Sequence, residues 1–300
     1  MRQGFASRAP LASRGRRLLT RFALAASLTA VLLAASASPA GGSVTIGQVA
    51  NPQPIGCGGG YDWAQPTVTS GNTYVVPGTG GITAWTVTSW TTYGGPSESQ
   101  VTMKIFRKLA GPSYQVVGHS GPQTVTPGGT AGNTFPSGLA VKPGDVLGFH
   151  TLTLSYCDFT AAGEEYLYYL GNLADGAQAS FGTYSNSRRL NISAVVTPTN
   201  TFSRAGTQRN KKKGTATLTL NLPNPGQLTG SGKGVKAAGA AVISKTVSAP
   251  GETQLLIKAK GRKNRKLNET GKVKLNVKVT YTPTGGDPST QSVKVKLKKR

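Results

Sequence analysis

The chain has 300 residues, with 34 Lys or Arg against ten Asp or Glu, and its formal net charge is +24. This length accommodates one large domain or two ordinary ones. Gly, Thr, Ser and Val are abundant, whereas Glu and Leu are sparse after residue 40. That composition favours strands and turns and argues against a mainly helical protein.

Residues 1–40 have the features of a secretory signal. Six arginines precede an apolar run from Phe22 to Ala35, and small residues that suit a signal peptidase follow it. The apolar run is shorter than the roughly 20 residues that a bilayer-spanning helix needs, which argues against a membrane anchor. We therefore expect an exported protein, extracellular or at the cell surface, with no transmembrane segment in its mature chain.

Charge and aromatic content both change near residue 200, which predicts a domain boundary there. Residues 41–200 contain six Lys or Arg and seven Asp or Glu, whereas residues 201–300 contain 22 and three. Seventeen aromatic residues lie in the first stretch and two in the second. We predict an all-β protein with two sandwich domains, at 45–198 and 201–300, joined by a short linker at 197–200.

Alternation of apolar and polar residues predicts short strands in the first domain. Residues 101–106 and 152–156 alternate with a period of two, and residues 82–90 are rich in Thr, Val and Trp. Turns containing Gly and Pro separate these segments, as at 77–81 and 143–145. Many short strands with regular turns predict a β-sandwich, and we expect it to be jelly-roll-like.

Cys57 and Cys157 are the only cysteines of the chain. In an exported protein an even count predicts a disulfide, and two cysteines allow one pairing. The bond would close a loop of about 100 residues, which the chain-entropy model values at roughly 4–5 kcal/mol. Two cysteines without a nearby pair of histidines do not indicate a metal site.

The second domain alternates strictly, with one apolar and one polar face for each strand. The pattern covers residues 217–222, 255–260, 273–281 and 293–298. Five to seven such strands in about 100 residues predict an immunoglobulin-like sandwich. If the last two strands pair as a hairpin, their lysines share one outer face, where facing like charges repel.

The excess of cations in the second domain predicts binding to an anionic polymer. Its three acidic residues offset few of its 22 cations, whereas a face that serves solubility alone carries mixed charge. The alternative is a solvated face that also blunts edge strands. The candidate polyanion-binding residues are Lys211, Lys212, Lys213, Lys258, Lys260, Arg262, Lys263, Arg265, Lys266, Lys274, Lys278, Lys294, Lys296 and Lys298.

The expected partner is an anionic cell-wall polymer such as teichoic acid, or an acidic polysaccharide. An anionic lipid surface and extracellular nucleic acid are further candidates. Sequence-specific reading of nucleic acid is not expected, because a recognition helix and stacking aromatic residues are both missing.

A search for catalytic chemistry finds no established motif. His119 and His150, the two histidines of the chain, lack the spacing of a zinc site, and His150 is interpreted as a structural histidine in an apolar strand. Asp158, Glu164 and Glu165 follow the second cysteine, and paired carboxylates can hydrolyse glycosides. Carboxylates in a polar loop are more often solvated charges. We expect no catalytic residues, no metal and no cofactor.

Aromatic residues of the first domain are candidates for a face that binds sugar rings, although most large aromatic residues of a sandwich lie in its core. These residues are Trp63, Trp85, Trp90, Tyr166, Tyr168 and Tyr169.

Segments of both domains resemble modules of secreted, mostly uncharacterised proteins of high-GC bacteria. In the first domain they are GGITAW at 80–85, VTMKIFR at 101–107, YQVVG at 114–118, NTFP at 133–136 and VKPGDVLGF at 141–149. In the second they are NKKKGTA at 210–216 and VTYTP at 279–283. The resemblance covers about 80–160 and nearly all of 201–300. It implies exported β-sandwich modules, a jelly-roll-like one followed by a Lys-rich immunoglobulin-like one, and it supplies no catalytic residues.

These features predict a non-enzymatic protein of the cell envelope. The basic domain would bind anionic polymer through many weak contacts and counterion release, so that retention is salt-sensitive. The first domain would bind a glycan or a protein. The alternatives are a glycan-active hydrolase that uses the carboxylates after the second cysteine and a purely structural surface protein, which would show neither salt-sensitive retention nor a pocket.

Overall fold

A computed structural model shows a chain built mainly from strands. It describes residues 42–50, 57–87, 99–125, 133–152, 157–185, 187–236 and 243–300. The predicted signal segment and Trp90 lie outside these residues. The predicted all-β class is confirmed, with one helix among the strands of the described ranges.

The N-terminal half, residues 42–200, is made of antiparallel sheets. Its strands are β1 (Val44–Gln48), β2 (Tyr61–Ala64), β3 (Gly80–Val87), β4 (Ser99–Lys108), β5 (Ser113–His119), β6 (Gln123–Val125), β7 (Asn133–Val141), β8 (Asp145–Thr151), β9 (Asp158–Thr160), β10 (Glu165–Leu170), β11 (Gln178–Ser180), β12 (Gly182–Ser185), β13 (Arg188–Leu190) and β14 (Ile192–Pro198). One sheet has the order β1-β14-β3-β7. The larger sheet has the order β11-β5-β4-β8-β2-β10-β12, with β6 beside β4, and β9 pairs with β13.

The core of this half lies between the two main sheets, in a sandwich-like arrangement. Val101, Met103 and Ile105 of β4 are all buried in it, as their period of two predicts. Trp85 of the four-stranded sheet belongs to the same cluster. β8 ends one residue before Leu152, so the strand predicted at 152–156 does not begin there, and residues 153–156 lie outside the description.

The predicted disulfide is present between Cys57 and Cys157. Their Cα atoms are 5.7 Å apart, and both side chains are buried. The bond connects the segment before β2 to the segment before β9, across 100 residues of sequence.

We expect a variant with both Cys57→Ser and Cys157→Ser to lose about 2–5 kcal/mol of unfolding free energy. The unfolded chain gains conformations once the loop is open, and two hydroxyl groups replace buried sulfur. Urea denaturation measures the loss, and wild-type protein treated with reductant should unfold near the midpoint of the variant. A wild-type midpoint that reductant leaves unchanged, with the bond shown to be broken, would contradict this.

The C-terminal half, residues 201–300, contains two antiparallel four-stranded sheets. Its elements are β15 (Ser203–Asn210), β16 (Thr215–Leu222), β17 (Gly226–Ser231), β18 (Val235–Lys236), β19 (Ile243–Val247), β20 (Gly251–Ala259), α1 (Gly261–Thr270), β21 (Lys272–Pro283) and β22 (Ser289–Lys298). The sheet orders are β15-β16-β20-β18 and β19-β17-β21-β22. The apolar faces of both sheets contribute to one buried cluster, which includes Leu218, Leu255, Leu275 and Val295.

Helix α1 is not predicted from the sequence. It follows Lys260, whose side chain makes no capping hydrogen bond, and it ends at Gly271, which has the left-handed backbone with φ of 66°. Leu267 is its buried residue and joins the core of this half. In the described part of the chain, no helix is long and apolar enough to cross a membrane.

Asn224, which is buried in the turn between β16 and β17, connects the two halves. Its Oδ1 accepts a hydrogen bond from the Thr79 backbone N at 2.6 Å, and its Nδ2 donates to the carbonyls of Thr79 and Thr199, both at 2.9 Å. Its own carbonyl accepts from the hydroxyl of Tyr281 at 2.7 Å. The side chain of Asn224 thus joins the turn before β3 to the connection after β14, and its backbone carbonyl bonds to the C-terminal core. The predicted linker is shorter than expected, because β14 extends to Pro198.

Candidate polyanion-binding surface

The hairpin of β21 and β22 has a lysine-rich outer face. Lys272 lies directly opposite Lys298, Lys274 lies opposite Lys296, and Lys294 lies opposite an asparagine. All five lysines are exposed, while the residues between them point into the core. Directly opposed residues have Cβ atoms about 4.5–5.5 Å apart, so the two lysines within each pair repel each other. This register therefore places the lysines of β21 and β22 on one shared outer face, as expected from the sequence.

Helix α1 and this face border two adjoining clefts, of about 510 and 380 Å³. The residues that line the larger cleft are Lys233, Lys263, Lys274, Leu275, Asn276, Lys294, Val295 and Lys296. Those that line the smaller one are Lys263, Lys266, Lys272, Val273, Lys274 and Lys296. We call the two together the α1 cleft. Among the described residues that line this cleft, lysine is the only charged type.

The opposite sheet carries a second basic cleft, of about 620 Å³. The basic residues that line it are Arg209, Lys211, Lys212, Lys213 and Lys258. The turn between β15 and β16 thus comes next to β20, although β16 to β19 lie between the two in sequence. The remaining predicted site residues are exposed outside these linings: Lys260, Arg262, Arg265, Lys278 and Lys298.

The acidic residues of this half neutralise little of the basic surface. Glu269 lies 4.0 Å from Arg265, and both side chains are largely exposed, where such a pair contributes at most about 1 kcal/mol. Asp287 accepts a hydrogen bond from the backbone of Gly42 at the junction between the halves. The lysines of the α1 cleft therefore keep an uncompensated positive charge.

Asp158, one of the carboxylates considered for glycoside hydrolysis, is buried and hydrogen-bonded. Its Oδ1 accepts from Arg188 and its Oδ2 accepts from the hydroxyl of Tyr166, both at 2.9 Å. Burial raises the pKa of Asp158, and the bonds from Tyr166 and Arg188 oppose that rise. This arrangement holds β9, β10 and β13 together and presents no open carboxylate.

Glu164 is also buried, in a separate set of contacts. It accepts from Arg189 Nη2 at 2.5 Å and from the Thr69 backbone N and hydroxyl at 2.6 and 2.7 Å. Burial favours the neutral acid, but the hydrogen bonds from Thr69 and Arg189 outweigh it and lower the pKa of the carboxyl. Of the three candidate carboxylates, Glu165 is the exposed one. The contacts of Asp158 and Glu164 are therefore those of buried side chains that hold the structure together.

Acid should reduce the contribution of Glu164 to stability. Its pKa is lower in the folded protein, so its contribution is complete above the pKa of the unfolded chain, about 4.3, and is lost as the pH falls through the folded value. We expect Glu164→Gln to lower the free energy of unfolding by about 1.5–3 kcal/mol at neutral pH. The difference in unfolding free energy between this variant and wild type should become smaller below a pH of about 4. Urea denaturation at several pH values measures it, with the exposed Glu165→Gln as control. A gap that is constant with pH would contradict the expectation.

The aromatic residues considered for a sugar-binding face lie mostly in the core. Trp63, Trp85 and Tyr166 are buried, so the interpretation of these three as an exposed face is wrong. Tyr168 and Tyr169 are half-buried. The rings of Trp63 and Tyr166 pack edge to face, with centroids 5.4 Å apart, as is usual for core aromatic pairs.

A buried ionic cluster in the larger sheet was missed by sequence reasoning. Asp62, 0 % exposed, accepts from Lys104 Nζ at 2.7 and 2.9 Å, from the Leu173 backbone N at 2.9 Å, and lies 2.9 Å from His150 Nδ1. Lys104, 1 % exposed, also donates to the Asn172 side chain and the Leu173 carbonyl, both at 2.7 Å. Burial lowers the pKa of Lys104, and Asp62 opposes this. The predicted structural role of His150 agrees with this buried partner.

In the described ranges, no group of three or more His, Cys, Asp or Glu side chains could hold a metal ion. A scan against models of protein families finds no match to this chain, and a search of curated proteins finds no significant match. The resemblance to modules of high-GC bacteria therefore stays a prediction, with which the all-β fold agrees.

Proposed function

We propose that the protein is exported and non-enzymatic and that its basic C-terminal half binds an anionic polymer of the cell envelope. The observation that carries this proposal is the α1 cleft, where lysines from β21, β22 and α1 converge without an acidic neighbour in the described lining. Two lysines that face each other across neighbouring strands destabilise the sheet. A bound polyanion would attract both ammonium groups and so offset their mutual repulsion.

The spacing of the lysines suits a flexible polymer with regularly repeated charges. Alternate residues of an antiparallel strand lie about 7 Å apart, so Lys294, Lys296 and Lys298 form a row with that repeat along β22. Lys272 and Lys274 continue the charge on the neighbouring strand. Wall teichoic acid or an acidic polysaccharide offers such repeated anionic groups, and the contacts would be many, weak and screened by salt.

We also propose two domains, a jelly-roll-like sandwich at 45–198 and an immunoglobulin-like sandwich at 201–300. Each half has its own main buried cluster, and every described strand pairs within its own half. Export rests on the signal-like sequence of residues 1–40 and places the protein outside the cell or at its surface.

The N-terminal half would bind a glycan or a protein. A glycan hydrolase is the less supported alternative, because Asp158 and Glu164 are buried in pairs with arginine. A purely structural surface protein is the remaining alternative, and salt-sensitive retention distinguishes it from the proposed function.

Sedimentation with purified cell-wall material tests the polymer-binding proposal. The protein without residues 1–40 is mixed with wall material that retains its anionic polymers and with the same material after their removal. We expect pelleting with the first material at low salt and release at about 0.5 M salt, where the Debye length falls to roughly 4 Å. Equal pelleting with both materials, or none at low salt, would overturn the proposal.

A further inference from the structure

The two histidines of the chain, His119 and His150, line one pocket in the N-terminal half. His119 ends β5 and His150 lies in β8, with β4 between them in the sheet. The pocket has a volume of about 370 Å³ and lies on the face of the larger sheet that points away from the main core. Its described lining also includes Gln100, Thr102, Lys104, Leu152 and Asn172.

Each histidine is held by a carboxylate on the same ring nitrogen. Nδ1 of His150 lies 2.9 Å from Asp62 Oδ1, and Nδ1 of His119 lies 2.6 Å from Asp175 Oδ1. A carboxylate accepts and cannot donate, so Nδ1 carries the proton in both rings and Nε2 of the neutral imidazole is left as an acceptor. Two acceptors of the same kind are thus oriented by the protein beside one pocket.

The other polar groups of the lining add donors without adding net charge. Lys104 Nζ is fully engaged by Asp62, Asn172 and Leu173, so its charge is neutralised beneath the pocket. The Oδ1 of Asn172 accepts the hydrogen bond from Lys104, so the Nδ2 of this exposed residue is the group that can donate to a ligand. The Thr102 hydroxyl and the Gln100 amide can donate or accept.

The lining also contains an apolar surface. The side chain of Leu152 is 60 % exposed and borders the pocket with Pro122. A pocket with a few convergent polar groups and an apolar wall is the usual form of a small-ligand site. Neutral donors and acceptors in this mixture match the hydroxyl groups and the C–H face of a sugar.

We propose that this pocket binds a neutral sugar unit, with Nε2 of His119 and His150 accepting hydrogen bonds from its hydroxyl groups. This inference rests on the proposed glycan binding by the N-terminal half and gives it a site. The charged groups that face the two rings are Asp62 from β2, Lys104 from β4 and Asp175 from the segment after β10.

Proton NMR of the protein without residues 1–40 tests the site, because two histidines give two Hε1 signals. Glucose, galactose, mannose and N-acetylglucosamine are added in turn, with inorganic phosphate as the anionic comparison. We expect at least one sugar to shift both signals. His119→Gln, at a 43 % exposed position, should weaken binding about tenfold, whereas Thr124→Ala on the exposed surface should not change it.

Three results would overturn the proposal. One is the absence of a shift with every sugar, and another is a shift with phosphate alone. The third is saturation transfer to a sugar that persists unchanged in both His119→Gln and His150→Gln, with both variants folded by circular dichroism. That third result would leave glycan binding by the N-terminal half in place at another surface, so the two proposals fail separately.

Discussion

Replacement of Asp62 by alanine is expected to destabilise the protein by about 3–5 kcal/mol, because it leaves the buried ammonium group of Lys104 without its counter-charge. The carboxylate also accepts from the backbone of Leu173 and lies beside His150, so the substitution removes several hydrogen bonds at once. Urea denaturation, monitored by tryptophan fluorescence, measures the change.

The double variant Asp62→Ala, Lys104→Met separates the charge from the packing. Because the second substitution removes the unpaired cation, we expect the double variant to be more stable than Asp62→Ala alone. Asp175→Ala is a suitable control, since Asp175 and its hydrogen-bonded partner His119 are 51 % and 43 % exposed. An Asp62→Ala variant within about 0.5 kcal/mol of wild type, which is the usual range for surface substitutions, would contradict the argument.

Neutralisation of three lysines in the α1 cleft should weaken polymer binding while leaving the fold at least as stable. We expect Lys274→Gln, Lys294→Gln and Lys296→Gln together to lower the slope of log affinity against log salt by about 2–3, as three fewer counterions are released. At low salt this corresponds to a loss of affinity on the order of 10–1000-fold. Sedimentation with wall material across a salt series measures it.

The matched control is the triple arginine variant, Lys274→Arg, Lys294→Arg and Lys296→Arg, which keeps every charge and should keep the salt slope. The glutamine variant should also gain a few tenths of a kcal/mol in unfolding free energy, because Lys274 and Lys296 no longer repel each other across the hairpin. A glutamine variant that binds as tightly as wild type would show that the polymer contacts other residues.

The strands of the C-terminal half could be predicted because each has one buried and one exposed face. Along β21, Val273, Leu275, Val277 and Val279 are buried while the residues between them are exposed or half-buried, so a period of two is visible in the sequence. The hairpin register follows from this alternation and from the short turn.

Helix α1 could not be predicted from the same patterns. Its single buried residue, Leu267, gives no apolar stripe, and neither a capping side chain at Lys260 nor an acidic residue in the first turn marks its start. Its cations are similar to those of the flanking segments. The glycine at 271 is the one local signal, because a left-handed residue commonly ends a helix.

The buried cluster around Asp62 depends on contacts that no local pattern reveals. Lys104 alternates with Met103 and Ile105 as an outward-facing strand residue does, and the alternation predicts that it meets solvent. Asn172 and Leu173, from the segment after β10, hydrogen-bond to its ammonium group on that outer face. The position of His150 opposite Asp62 is likewise a matter of strand register, which requires knowing that β2 and β8 are neighbours.

The bonds of Asn224 to both halves have a consequence for a protein attached to a wall. If the C-terminal half is held by polymer, the N-terminal half is not a free module on a tether, because Thr79 and Thr199 are tied to the same buried amide. The histidine-lined pocket would then act as a receptor with a limited range of orientations. Its encounter with sugars would be governed by the local concentration of glycan at the attachment point.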